Sequence, residues 1–202
     1  MGAFSAWFFA RLQAAGFYRE LHAEAVAAVG PVPEGADWLD VGCGPGLVAR
    51  LAAEAGWRAA GVDRDPAMIA EARALDPAGR VAFEVGDLDV AEAHGHAVVS
   101  AGSLLVGVPD RRAALVALAR RVRPGGTLLI VETTAALTPR AALAEILRRG
   151  ARPSDGLWLV WALARRRVEA VAADDLALDG WSLARHDLGA GLVAAWILRR
   201  AA

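Results

Sequence analysis

The sequence predicts an α/β domain built around a mostly parallel sheet, and three observations predict it. Between residues 38 and 132, five short apolar segments alternate with segments of helical periodicity. The first apolar segment runs straight into a glycine-rich turn, Gly42-Cys43-Gly44-Pro45-Gly46. The length, 202 residues, suits one domain with a full core.

The elements follow in order. Phe4, Trp7, Phe8, Leu12 and Ala15 recur at helical spacing, and a second helical stretch from Phe17 to Val29 is ended by Pro31, Pro33 and Gly35. Trp38 to Val41 reads as the first strand and Leu47 to Ala55 as a helix closed by Gly56. Arg58 to Val62 is a second strand ending at Asp63, and Asp65-Pro66 opens a helix to about Leu75, with proline in its favoured first turn. Val81 to Val85 is a third strand, ending at Gly86-Asp87. Ala97 to Ala101 is a fourth, uncharged as a buried parallel strand should be. Asp110 to Val122 predicts a helix, Arg123 to Gly126 a turn, and Thr127 to Glu132 the fifth strand. Residues 139–173 turn helical, and Ser182 to Asp187 with Leu192 to Arg199 reads as a closing hairpin.

Composition narrows the chemistry. All 22 basic residues are arginine, so a P-loop lysine and Schiff-base catalysis are excluded. A net charge of −1 provides no global basic field for nucleic acid. The single cysteine, Cys43, excludes an intramolecular disulfide and a multi-cysteine metal site, and no metal is expected. The apolar N-terminus lacks a basic n-region, and no uncharged run reaches the ~18–20 residues of a membrane span. A cytoplasmic protein is expected.

A glycine turn between first strand and first helix lets backbone pass close to a ligand and points helix N-terminal amides at it. The dinucleotide fingerprint G-x-G-x-x-G would need glycine at 47, where this chain has Leu47. The pattern from Asp40 to Gly46 is instead D-x-G-x-G-x-G. In that stretch, including the proline before the last glycine, the sequence resembles the class I S-adenosylmethionine-dependent methyltransferases. The resemblance covers roughly Trp38 to Glu132. It departs where the fourth strand opens with Gly95-His96 in place of that family's usual aromatic and aspartate.

The resemblance implies a Rossmann-like, doubly wound, mostly parallel seven-stranded sheet with an antiparallel terminal strand. It implies S-adenosylmethionine as cofactor and S-adenosylhomocysteine as product. Asp40, Gly42, Cys43, Gly44 and Gly46 would surround the methionine part, Asp63 with neighbouring Arg64 the ribose, and Met68, Asp87 and Leu88 the adenine. Ser100 and Ala101 fall at the end of the fourth strand, beside the same crevice. Several of these residues also have a purely structural reading: Asp63 as a helix cap, although Asp65 is offered for that, Met68 as core, and Cys43 as a small packing residue rather than a nucleophile. Asp89 competes with Asp87 for the adenine contact.

In-line methyl transfer needs positioning and desolvation more than a dedicated base. His94 and His96 are the nearest candidates for a general base, histidine being the residue type suited to that role near neutral pH, but they precede the fourth strand, on the wrong edge of the sheet. Tyr18 and His22 lie on the N-terminal helical segment, which in many small-molecule relatives folds over the cofactor mouth. Ser103, Tyr18 and Trp158 are the substrate-side candidates. The expected function is methyl transfer to a small organic acceptor, from a cap (1–35), a cofactor core (36–134), a helical lid (135–175) and a hairpin (176–202). Two alternatives stand beside it: an RNA or protein methyltransferase using the arginine-rich segment 140–167, and a non-catalytic S-adenosylmethionine-binding protein. Arginines interleaved with Trp158 and Trp161 suit RNA stacking, or the solvated face of a lid helix. Oligomeric state is not readable from the sequence.

Overall fold

A computed structural model describes residues 9–87, 95–166 and 168–202. Among these residues seven strands form one sheet: β1 (Asp37–Val41), β2 (Arg58–Asp63), β3 (Ala82–Val85), β4 (His96–Gly102), β5 (Val122–Thr133), β6 (Trp181–Leu188) and β7 (Val193–Arg200). Their spatial order is β3-β2-β1-β4-β5-β7-β6. The first five are mutually parallel, and β7 alone runs against them, paired with β5 on one side and β6 on the other. The chain winds outward from β1 through β2 to β3, then returns to place β4 on β1's other flank. That reversal opens a crevice beyond the carboxyl ends of β1 and β4, where open parallel sheets hold ligands.

Six helices with both ends among the described residues pack on the sheet: α1 (Gly16–Ala28), α2 (Leu47–Glu54), α3 (Pro66–Ala74), α4 (Arg111–Arg120), α5 (Pro139–Arg148) and α6 (Leu157–Arg165). Alternate residues of each strand feed opposite faces, as the pleat requires. Trp38, Leu129, Val131 and Ala195 join one core with Phe17 and Leu21 of α1, Leu51 of α2 and Trp158 of α6. Leu39, Val41, Leu128, Ile130 and Trp196 join the other, with Leu115 and Leu118 of α4. The result is three layers with the sheet in the middle. No helix among the described residues is long and apolar enough to cross a membrane.

One element departs from the sequence reading. The turn expected at Arg123 to Gly126 lies inside a single twelve-residue strand, β5. His96 pairs with Val122 and Val98 with Thr127, so the four intervening residues are accommodated as a register shift rather than a break. The outer strand β6 is exposed along most of its length and carries the Arg185–Asp187 ion pair at 2.6 Å. Charges of this kind keep an edge strand from pairing with another chain.

Candidate active site

The glycine turn lies at the carboxyl end of β1. The Gly42 and Cys43 amides both donate to the Val62 carbonyl, at 2.8 and 3.0 Å, which ties the turn to β2. Gly46, at φ 78°, is the N-cap of α2, and a Cβ there would lie 2.4 Å from the Phe83 ring. Gly44, at φ 52°, differs: a Cβ there would meet only the Gln13 Nε2, at 3.7 Å. Gly46 is therefore required by packing, and Gly44 by backbone conformation beside open space.

Asp40 lies beneath this turn. The Trp38 indole donates to the Ser100 hydroxyl at 2.7 Å, and that hydroxyl donates to Asp40 Oδ1 at 2.6 Å. Burial pushes the Asp40 carboxyl up to about 7; the Ser100 hydrogen bond opposes this, the nearby Asp63 charge adds to it, and the Ala49 amide of α2 opposes it. At the head of α2 the Leu47 amide donates to Gln13 Oε1 at 3.1 Å.

Asp63, at the end of β2, accepts the Gly44 amide on Oδ2 and the Asp65 amide on Oδ1, both at 2.9 Å. Asp65 caps α3 by accepting the Ala67 amide at 2.9 Å, leaving Asp63 to the crevice.

A cavity of about 520 Å³ occupies the crevice. Of the residues singled out in the sequence, it brings together Gly42, Gly44, Asp63, Arg64, Met68, Asp87, Tyr18 and Ser103. Asp40, Cys43, Gly46, Ser100 and Ala101 do not line it; they form the layer beneath. Burial pushes the Cys43 thiol up, and its sulfur sits 3.0 Å from where a Gly61 side chain would start, which makes it a packing residue. Trp158 is a correction: it is fully buried and stacks on Phe17 at 4.6 Å, in the core rather than at the cavity. Leu88, Asp89 and His94 lie outside the described residues. His96 is at the amino end of β4, where its Nδ1 is 2.6 Å from Asp37 Oδ2, across the sheet from the cavity.

Other lining residues went unread in the sequence. Phe9 and Gln13 reach in from the N-terminal segment, Val108 and Pro109 from the loop after β4, and Ala113, Ala114 and Ala117 from α4; Leu104, next to Ser103, lines the cavity as well. Arg165, taken in the sequence as part of a basic lid, is also at the wall.

At the β4–β5 end the polar groups converge. Ser103, at φ 56°, holds a left-handed backbone that costs a non-glycine residue about 1–2 kcal/mol. Its side chain hydrogen-bonds the Tyr18 phenol, which burial pushes up to about 12 against the pull of Ser103 and Arg165. His22 stacks on Tyr18 at 4.2 Å between ring centres, and its Nδ1 lies 2.8 Å from the Tyr18 carbonyl. That contact assigns the proton to Nδ1. Burial lowers His22 to about 4, so the ring is neutral at physiological pH. Glu132, at the end of β5, accepts the Leu105 amide on Oε1 at 2.8 Å, while its buried Oε2 has no hydrogen-bond partner among the described residues. Burial raises Glu132 to about 7, with the Arg165 charge opposing.

A glycine turn at the switch point of a parallel sheet, with acids at the next two strand ends, defines a nucleotide-cofactor-binding α/β protein. A family profile for a methyltransferase domain matches residues 39–126. The ubiquinone biosynthesis O-methyltransferase of Sodalis glossinidius is 35% identical over 118 residues, 56% of this chain and 47% of that protein. The chain thus spans about half the length of the curated relatives it matches. Among solved structures, a chain from a Haloferax volcanii complex with the Trm112 methyltransferase activator has a TM-score of 0.70 at 16% identity, covering 98% of this chain and 96% of that one. The N-methyltransferase NodS of Bradyrhizobium japonicum, solved with S-adenosylhomocysteine, has a TM-score of 0.66 at 16% identity, covering 94% and 90%. At such identities the likeness to both is one of fold. Over residues 39–126, under half of the chain, the sequence therefore matches a methyltransferase domain.

Proposed function

We propose that the chain transfers a methyl group from S-adenosylmethionine to a small organic acceptor. The observation that carries this reading is the two-ended cavity: Gly44, Asp63 and Asp87 at one end, and an apolar wall with a hydroxyl pair at the other, in one continuous space. Its volume, about 520 Å³, is within the range of small-molecule sites. The donor and acceptor groups suit the cofactor, because carboxylates accept from ribose hydroxyls and an adenine amino group, and the Gly44 backbone has room for close approach.

When bound, S-adenosylmethionine supplies an electrophilic methyl on a sulfonium. In this reading Asp63 and Asp87 orient the nucleoside, with Arg64 and Met68 beside it. Asp40, Cys43, Gly46, Ser100 and Ala101 keep the turn and strand end in shape from below. Phe9, Tyr18, Leu104 and Val108 exclude water from the acceptor end, and the Tyr18–Ser103 hydroxyls orient the acceptor. The N-terminal segment acts as the cap and the region of α5 and α6 as the lid.

An RNA acceptor is less well supported, since two arginines of that region are engaged by acids. Arg148 is paired with Glu145 at 2.6 Å, and Arg149 with Glu20 at 2.5 Å. Calorimetric titration with S-adenosylmethionine, S-adenosylhomocysteine and NAD tests the proposal. Binding of the first two and not of NAD is expected; NAD binding without a response to the others would overturn it.

A further inference from the structure

We propose that Arg165 anchors an acid group on the acceptor, so that the molecule methylated is a small carboxylate with an apolar body. This deepens the reading just given and rests on it. Arg165 ends α6 and lines the cavity. Its charge acts on both Tyr18 and Glu132, which locates the guanidinium at the acceptor end.

The other charged residues of the wall have work elsewhere. Asp63 holds the Gly44 and Asp65 amides, and Arg64 and Asp87 lie with it at the nucleoside end. Asp110 caps α4 by accepting the Ala113 amide at 2.8 Å. Among the described residues, the Arg165 guanidinium makes no ion pair or hydrogen bond, although its carbonyl accepts the Val168 amide at 2.9 Å. Glu132 is close enough to be felt but makes no salt bridge with it, and its buried Oε2 is left without a hydrogen-bond partner. The carboxylate therefore draws the guanidinium inward by charge while leaving its donors available.

Arginine's planar fork matches a carboxylate in two parallel hydrogen bonds, a geometry an uncharged acceptor cannot complete. The Tyr18–Ser103 hydroxyl pair adjoins this point, and Phe9, Leu104 and Val108 supply the apolar walls. A small aromatic or aliphatic acid fits these three features together.

The test uses the full chain saturated with S-adenosylhomocysteine and isosteric acid and amide probes: benzoate and benzamide, phenylacetate and phenylacetamide, hexanoate and hexanamide. Calorimetry should show at least one acid bound roughly tenfold more tightly than its amide, the ratio expected for hydrogen bonds to a charged group. In Arg165→Gln that preference should fall to about one while S-adenosylhomocysteine affinity stays within about twofold. Arg165→Lys, which keeps the charge and loses the fork, should retain part of the preference. No acid preference in the wild-type protein, or a preference that survives in Arg165→Gln, would overturn the proposal. So would a large loss of S-adenosylhomocysteine affinity in Arg165→Gln, which would give Arg165 to the cofactor. Wild-type protein that fails to bind S-adenosylhomocysteine at all would instead overturn the methyltransferase reading beneath it.

Discussion

The Asp63 carboxylate accepts the Gly44 amide at 2.9 Å, so the acid at the end of β2 already holds the turn at the end of β1. One side chain thus serves the fold and the proposed ribose contact, and its removal should be visible in both. Asp63→Ala is expected to weaken S-adenosylhomocysteine binding by about 10- to 100-fold and to lower stability by about 1–2 kcal/mol. Calorimetry and urea unfolding measure the two separately. Lost stability with unchanged affinity would reduce Asp63 to a turn-holding residue.

Gly44 and Gly46 should part company on alanine substitution. At Gly46 a new Cβ lies 2.4 Å from Phe83 in a left-handed backbone, so overpacking and strain add to a loss of about 3 kcal/mol. At Gly44 the backbone cost remains, but only the end of the Gln13 side chain is near. Gly44→Ala should cost about 1 kcal/mol of stability and lose cofactor affinity out of proportion to it. Equal stability losses would show that the space beside Gly44 is not open.

How legible these features were depends on how local their cause is. The Asp40 to Gly46 pattern, the Asp65-Pro66 helix start and the strand alternation are set by short-range backbone preferences, and all of them are found in the structure. Contacts between distant segments left no such trace. Gln13 meets Leu47 across 34 residues, and Glu132 meets Leu105 across 27. Trp158 shows the same limit, since an aromatic on an amphipathic helix has one sequence pattern whether it faces a cavity or, as here, Phe17. The β5 turn failed for the opposite reason. Its local Pro-Gly-Gly chemistry was read correctly as irregular, but pairing with β4 carries the strand through it.

Glu132 predicts a pH-dependent stability with a definite sign. Its folded value, about 7, is above the usual 4.5, so the unfolded chain ionises first and stability falls as pH rises between them. Buried Asp40 acts in the same direction, whereas His22, lowered to about 4, loses stability as pH falls below its ordinary value. The charges of Arg165 and Arg111 act on Glu132 and oppose the rise that burial causes. Glu132→Gln removes one contribution only. Its stability relative to wild type should improve by roughly 2–3 kcal/mol between about pH 4.5 and about pH 8. Urea unfolding at the two pH values checks it, and a pH-independent difference would show that Glu132 is ionised at both.

Tyr18 is the only tyrosine in the chain, so its phenolate absorbance reports one site without deconvolution. Burial holds the group near 12, and the protein should show no phenolate at the pH where a free tyrosine is half ionised. The Ser103 hydrogen bond lowers that value, so Ser103→Gly should move the titration higher still. The same substitution relieves a left-handed serine at φ 56°, and stability should rise by about 1 kcal/mol. Ser103→Ala separates the two effects, because it removes the hydroxyl and keeps the strain. It should shift Tyr18 as glycine does, without the gain in stability. A Tyr18 that titrates at its ordinary value in all three proteins would mean that the phenol is open to water and that the acceptor end of the cavity is not the desolvated site argued for.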